Sequence, residues 1–239
     1  METWERLFEQ AMVCLDSISQ AQVPLPRWTF GGGTALKFQL QHRESHDIDI
    51  FLESPKWLSV LSPRLNDTVE TVCQDYAEDS HFLKLNLGEG EVDFIAAPLL
   101  TKPGALPCEI LGRKVLVETP AEIIAKKLYF RGWALRTRDV IDIAVVLTAD
   151  RRAVLGTASA WADRFDEVAR RLSQHRTHVE EFHQELAGMS LLPPAEAVRA
   201  NALDLVGELL DEVKRGRTPR RVVPPRTKHP KEPDVDRER

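Results

Sequence analysis

Two aspartates stand two residues apart in the segment Asp47-Ile48-Asp49-Ile50-Phe51. The alternation predicts a strand on which both carboxylates project from one face, while the isoleucines point into a core. Neighbouring like charges are costly unless a cation lies between them. Because Mg²⁺ prefers carboxylate oxygens and substrate phosphates, we expect Asp47 and Asp49 to be metal ligands.

A glycine run, residues 31–33, precedes this strand and is followed by a short apolar helix from Thr34. Glycines allow backbone N–H groups to approach a phosphate, with a helix N-terminus behind them. Gly32 and Gly33 are therefore candidates for binding phosphate. The alternative is an ordinary glycine turn before a strand whose aspartates face water.

The order of these elements resembles a known family. Gly32-Gly33-Thr34 is followed by Arg43 and Ser45 and then by the Asp-Ile-Asp-Ile-Phe strand. This string is similar to that of the AbiEii/AbiGii toxin nucleotidyltransferases, within the DNA polymerase β-like nucleotidyltransferase superfamily. The resemblance implies an α+β fold, in which a mixed sheet is flanked by helices and followed by a C-terminal helical region.

A second motif lies downstream, where Lys127-Leu128 and Arg131 are followed by Arg138-Asp139-x-x-Asp142. It matches the Lys-Leu, Arg, Arg-Asp-x-x-Asp pattern of the same family. The resemblance implies functional roles for Lys127 and Asp139. The alternative is a buried salt-bridge network that only joins two helices. Helical spacing also predicts that Lys126, next to Lys127, pairs with Glu122 on the outer surface.

The superfamily places a third carboxylate on a hairpin partner beside the aspartate strand. The segment 91–95 alternates as a strand, and its position makes Asp93 the predicted third metal ligand. A register slip of one residue would substitute Glu91. A strand acid that simply faces solvent is the competing interpretation.

The resemblance further implies transfer of an NMP from an NTP to an acceptor, with Mg²⁺ or Mn²⁺ as the metal. The turn at Gly32, Gly33 and Thr34 would hold the triphosphate, together with Ser45 and Arg131. Arg43 and Lys127 would neutralise charge, and Asp139 would orient Lys127. The expected acceptor is the 3′ end of tRNA, and a cognate antitoxin is an expected partner.

Two other functions fit the same residues. An antibiotic-modifying nucleotidyltransferase would use the same core chemistry on a small molecule. A catalytically silent module would use the fold only to hold a nucleotide or a partner protein.

Composition restricts these interpretations. A net charge of -5 over 239 residues gives no general affinity for nucleic acid, so RNA must be bound by local patches. The three cysteines are widely spaced, so we expect no disulfides and a reducing cytoplasm. The N-terminus has no signal-peptide pattern, and no apolar run is long enough to cross a membrane.

The chain divides into three predicted regions. Residues 1–150 are expected to form the nucleotidyltransferase domain with an N-terminal helix, and residues 151–213 a helical domain. Within the first region, the alternation over 68–76 predicts a strand. Residues 214–239 are rich in Lys, Arg and Pro, which predicts a disordered tail that either contacts RNA or is merely solvated.

Overall fold

The computed structural model describes residues 2–20 and 26–216. Its strands are β1 (Trp28–Gly31), β2 (Ile48–Leu52), β3 (Asp75–Asp79), β4 (Phe82–Asn86), β5 (Glu91–Ala96), β6 (Ala105–Ile110) and β7 (Arg113–Glu118). They form one seven-stranded sheet in the order β3-β4-β5-β2-β1-β7-β6. The pairs β2–β5 and β1–β7 are parallel and the others antiparallel, so the sheet is mixed, as expected.

Helices precede, interrupt and follow the sheet. They are α1 (Thr3–Gln20), α2 (Gly32–Leu40), α3 (Lys56–Leu61), α4 (Asp67–Val72), α5 (Pro120–Arg131), α6 (Thr137–Gly156), α7 (Phe165–Thr177), α8 (Val179–Ala187), α9 (Pro193–Val198) and α10 (Ala202–Gly216). The predicted α+β class and the C-terminal helical region are both confirmed.

The two faces of the central strands have different environments. Ile48 and Ile50 of β2 are fully buried on the face covered by α1, where the rings of Phe8 and Phe30 meet edge to face at 5.3 Å. The opposite face carries Asp49, Phe51 and, from β5, Asp93, which are only partly buried; we call it the acidic face. Apolar burial on one side thus fixes which side chains project on the other.

The strand predicted over 68–76 is wrong. Residues 67–72 form α4 instead, and the strand β3 begins only at Asp75. The side chain of Asn66 accepts a hydrogen bond from the backbone N–H of Val69 at 3.2 Å and so caps the helix. Capping and an acidic first turn favour the helix over the weak alternation of apolar residues.

The C-terminal helices pack around α6. Backbone hydrogen bonds join them to the part of the chain that contains the sheet. The N–H of Glu44 donates to the carbonyl of Ser190 at 2.9 Å, and the N–H of Leu192 donates to the carbonyl of His42 at 2.8 Å. Helix α6 runs across the predicted boundary at residue 150, and Asp150 has non-helical backbone angles there. The division into domains therefore stays a prediction.

Three residues that were predicted to belong to the tail are helical. Helix α10 continues through Gly216, so residues 214–216 are helical. The remainder of the tail, residues 217–239, lies outside the described residues. Among the described residues, no helix is long and apolar enough to cross a membrane, and Cys14, Cys73 and Cys108 are free thiols.

Candidate active site

The glycine turn between β1 and α2 packs tightly against its neighbours. Gly32 has a φ of +70°, and a Cβ there would lie 1.8 Å from Oδ2 of Asp49. A Cβ on Gly33 would lie 2.8 Å from Nη2 of Arg43 and 3.0 Å from Oγ of Ser45. Both positions therefore require glycine, Gly32 for its backbone conformation as well as for space.

Hydroxyl groups fix the approach to β2. The Thr34 hydroxyl donates to the carbonyl of Asp47 at 2.6 Å and lies 3.0 Å from Oγ of Ser45. Thr34 is buried, and its hydroxyl joins the start of α2 to the segment entering β2. Thr34 thus positions Asp47 in this structure.

The three predicted carboxylates lie on, or directly before, the neighbouring strands β2 and β5. Asp49 on β2 stands in register with Asp93 on β5, which places both side chains on the acidic face. Asp47 lies just before β2 and is exposed, and its Oδ1 accepts the N–H of Glu91 at 3.3 Å. Strand β5 is the antiparallel hairpin partner of β4 and lies parallel to β2. The strand that carries Asp93 is therefore a hairpin strand beside the aspartate strand, as expected.

The environment of these carboxylates disfavours two negative charges. Burial, and then the charge of Asp49, raise the pKa of Asp93 to about 7. Burial, opposed by Lys127 and reinforced by Asp47, also raises the pKa of Asp49. In addition, Oδ1 of Asp93 is buried without a hydrogen-bond partner. A divalent cation would neutralise the repulsion and satisfy that oxygen, so the donor set fits Mg²⁺ or Mn²⁺.

Glu91, the alternative third carboxylate, is paired elsewhere. Its Oε2 lies 2.7 Å from Nζ of Lys84. The same ammonium is 3.6 Å from Oδ2 of Asp93, a longer and partly exposed contact. Within the described residues, no three His, Cys, Asp or Glu side chains converge closely enough to define a metal site as they stand.

A buried charged network lies behind the glycine turn and centres on Asp142. Arg43 binds this carboxylate with both arms, Nε to Oδ1 at 2.7 Å and Nη2 to Oδ2 at 2.9 Å. His42 Nε2 lies 2.7 Å from Oδ1, and Lys127 Nζ lies 3.0 Å from Oδ2. Arg43 was predicted to neutralise charge on the nucleotide, but its guanidinium is buried and two of its nitrogens bind Asp142.

Lys127 connects this network to the acidic face. Its Nζ lies 2.6 Å from Oδ1 of Asp139, as the predicted pairing requires. Its charge opposes the rise that burial causes in the pKa of Asp49. Although burial alone would raise the pKa of Asp139, Lys127 and Arg131 hold it below its ordinary value. Arg131 is partly exposed, with Nη2 3.5 Å from Oδ2 of Asp139. Lys127 and Asp139, the two residues with predicted functional roles in this motif, are thus in direct contact.

The predicted ion pair between Lys126 and Glu122 is present, but both residues are buried and not on the outer surface, where the pair was expected. The ammonium of Lys126 is buried, 2.6 Å from Oε1 of Glu118 and 3.9 Å from Glu122, and lies 3.7 Å from the centre of the Phe51 ring. Residues 122–128 of α5 are all buried, so the helix has no outer face at that level. The Thr29 hydroxyl also donates to Glu118 at 2.7 Å.

Roles for His42 and Glu118 were not predicted from the sequence. Each is fully buried, and each contacts a residue from a distant part of the chain, Asp142 and Thr29 respectively. Local patterns around either residue do not encode such long-range contacts.

Comparison with solved structures finds distant similarities. A protein from H. pylori described as a candidate nucleotidyltransferase is 15% identical, covers 90% of this chain and 96% of its own, and gives a TM-score of 0.46. The antibiotic-resistance factor ANT(2″)-Ia is 17% identical over 71% of this chain and 96% of its own, with a TM-score of 0.49. The nucleotidyltransferase toxin MenT4 of Mycobacterium tuberculosis is 20% identical over 68% and 66%, with a TM-score of 0.41.

Comparison with curated proteins finds no match. By contrast, the family described as "Nucleotidyl transferase AbiEii toxin, Type IV TA system" matches residues 16–226. This range contains the glycine turn, the acidic strands and the Lys127–Asp139 motif. The chain therefore belongs to the AbiEii family of nucleotidyltransferase toxins.

Proposed function

We propose that this nucleotidyltransferase moves an NMP from an NTP to the 3′ end of tRNA and depends on a divalent metal ion. The observation that carries the metal assignment is the registered pair of Asp49 and Asp93, one of which has a buried oxygen without a partner. Asp47, Asp49 and Asp93 would hold Mg²⁺ or Mn²⁺. When bound, the ion supplies charge neutralisation and activation of the attacking hydroxyl.

The chain's own groups bind and orient the substrates. The backbone N–H groups at Gly32 and Gly33 would contact the triphosphate, because no side chain separates them from the carboxylates. Ser45, whose Oγ would lie 3.0 Å from a Cβ on Gly33, and Arg131, which is partly exposed beside Asp139, are proposed to complete the nucleotide site. Catalysis of this type depends on positioning and electrostatic stabilisation.

Lys127 is the proposed catalytic cation. Its ion pairs with Asp139 and Asp142 fix the direction of the ammonium. It would neutralise negative charge that develops on the transferred phosphoryl group. Asp139 is proposed to orient Lys127, and Arg43 to act through the same network by holding Asp142.

The toxin role follows from the family, and a cognate antitoxin is a proposed partner because the family description names a type IV toxin–antitoxin system. The tRNA acceptor would place the activity in the cytoplasm. Nucleotides added to the 3′ end of tRNA would block aminoacylation, which would account for toxicity.

The test is incubation of purified protein with total tRNA, Mg²⁺ and each α-labelled NTP in turn, beside Asp47→Ala. The proposal expects label in tRNA with at least one NTP and none with the variant. Parallel reactions with aminoglycosides test a small-molecule acceptor, and label there instead of in tRNA would refute the proposed acceptor. NTP binding without transfer to any acceptor would indicate a silent module.

A further inference from the structure

A cleft of about 320 Å³ opens where the first turn of α6 meets the α8–α9 connection. Its lining includes Arg43, Arg136 and Arg138 together with Glu44 and Glu185. The cleft therefore lies between the part of the chain that contains the sheet and the C-terminal helices. None of the roles proposed above uses Arg136 or Arg138.

The two acids that line the cleft already have partners. Glu44 is paired with Nζ of Lys37 at 2.7 Å, and Glu185 accepts a hydrogen bond from the Thr137 hydroxyl. Their charge and hydrogen-bonding capacity are therefore partly satisfied without the arginines.

Of the three arginines that line the cleft, one is bound to a carboxylate and two are not. Arg43 is bound by Asp142. Within residues 2–20 and 26–216, no carboxylate lies within 4 Å of the guanidinium of Arg136 or of Arg138. Two guanidinium groups without acidic partners on one cleft provide positive charge for a ligand with several anionic groups, and arginine suits phosphate geometry particularly well.

The cleft adjoins the glycine turn. Arg43 lines the cleft, and its Nη2 would lie 2.8 Å from a Cβ on Gly33. Gly32, the preceding residue of that turn, packs against the carboxylate of Asp49. A phosphate held in the cleft would therefore lie near the turn that is proposed to bind the triphosphate.

An exposed aromatic side chain stands on the same connection. Trp133 lies in the short turn between α5 and α6, and 66% of its surface is exposed. Phe130, one turn earlier on α5, is 43% exposed. Large aromatic side chains are usually buried, and exposed aromatic side chains are the groups on which proteins stack unpaired bases. Trp133 precedes Arg136 of the cleft by three residues.

We propose that the α5–α6 connection binds the single-stranded 3′ segment of the acceptor RNA. Arg136 and Arg138 contact its phosphates in the cleft, and Trp133 stacks on one of its bases. The inference rests on the proposed function and deepens it by naming the residues that bind the acceptor. An NTP also has phosphates and a base. Binding of the NTP by these residues, in place of the RNA, is therefore the alternative that the test must exclude.

The test measures the binding of a fluorescein-labelled short single-stranded RNA with a free 3′ hydroxyl by anisotropy, and the binding of each NTP by calorimetry. Trp133→Ala should weaken RNA binding about 5- to 100-fold, whereas Trp133→Phe should retain most of it. Arg136→Gln and Arg138→Gln should each lower the slope of log Kd against log salt concentration by about 0.7. NTP binding should be unchanged in all four variants.

Arg152→Gln is the matched control, because Arg152 is an exposed arginine on the same helix but outside the cleft. It should bind RNA as the wild type does, and the thermal midpoint of every variant should confirm that it is folded. Loss of NTP binding in the cleft variants, with RNA binding intact, would overturn the proposal. Wild-type RNA affinity in those variants, or no RNA binding by the wild type, would overturn it too.

A label-transfer assay separates this inference from the proposed function. If the wild type labels tRNA and the cleft variants do so with the same KM for tRNA, the inference fails and the function stands. If no RNA is labelled although RNA binding depends on Trp133 and Arg138, the function fails and the binding site stands.

Discussion

Replacing Asp93 by asparagine should stabilise the protein in EDTA above the Asp93 pKa of about 7, where that carboxylate is ionised, while abolishing nucleotidyl transfer in Mg²⁺. Asp93 stands opposite Asp49 in the sheet, and neighbouring strands lie about 4.8 Å apart. Two unit charges at about 5 Å repel by roughly 1 kcal/mol in water and roughly 3 kcal/mol at an effective dielectric constant near 20. Removing one charge relieves that repulsion.

The substitution also removes an attraction. Lys84 Nζ lies 3.6 Å from Oδ2 of Asp93, but it is shared with Glu91, and partly exposed ion pairs contribute about 0–1 kcal/mol. The net expectation is a gain of about 1 kcal/mol, equivalent to about 2–4 °C in thermal midpoint for a chain of this size. Mg²⁺ should stabilise the wild type more than the variant, since only a bound ion contributes by mass action.

Thermal unfolding followed by circular dichroism, in EDTA and in Mg²⁺, measures both effects. Asp142→Asn is the matched control, because Asp142 is also a buried aspartate but faces Arg43, His42 and Lys127. Breaking a buried pair of this kind should cost about 3–5 kcal/mol. A destabilised Asp93→Asn in EDTA would refute the reasoning, because it would mean that Asp93 is structural and its charge already compensated.

Three further outcomes are expected. Gly32→Ala should cost about 1–2 kcal/mol from its positive φ and, because the new Cβ would overlap Asp49, lower transfer about 100-fold or more. Gly112→Ala, with a φ of +75° and nothing within 4 Å, should share the strain and keep its activity; equal activity in both variants would contradict the contact argument. Because Arg43 and Lys127 outweigh burial and hold the pKa of Asp142 well below its ordinary value, the stability difference between the wild type and Asp142→Asn should be complete above about pH 4, the ordinary range of an unfolded aspartate, and shrink as pH falls further. Urea unfolding across that range measures it, and a difference independent of pH would exclude the linkage. Finally, EDTA should stop transfer and added Mg²⁺ or Mn²⁺ should restore it, whereas transfer that persists in EDTA would rule out metal dependence.

Much of the site could be predicted because its residues are close in sequence. The glycine turn and the Asp47–Asp49 strand lie within two dozen residues, and alternation decides which side chains share a face. The pairing of Lys127 with Asp139 was also expected, from the resemblance of their motif to that of the AbiEii/AbiGii family, and the structure shows the contact.

The remaining features depend on contacts that local patterns do not encode. Asp142 binds Arg43 across 99 positions, so nothing near Arg43 indicates that its guanidinium is occupied. The parallel pairing of β2 with β5 follows from the order of strands in the sheet, not from the alternation in either strand. Lys126 was misplaced because helical periodicity assumes a solvent face, which α5 lacks at that level.

Helix α4 shows a different limit. The residues from Asp67 to Val72 carry weak strand alternation, but the side chain of Asn66 provides a helix cap. Local hydrogen bonding decides between two secondary structures of similar intrinsic preference. A cap of this type is visible in the sequence only when helix and strand patterns are weighed together.

The most direct test of the account compares label transfer by the wild type and by Asp49→Asn, with tRNA as acceptor and Mg²⁺ present. Asp49 packs against Gly32, stands in register with Asp93 and is influenced by the charge of Lys127. It therefore links the proposed phosphate site, the proposed metal site and the proposed catalytic cation. The account predicts that the variant folds, as shown by its thermal midpoint, and transfers no label to tRNA. Transfer by Asp49→Asn at the wild-type rate would contradict it.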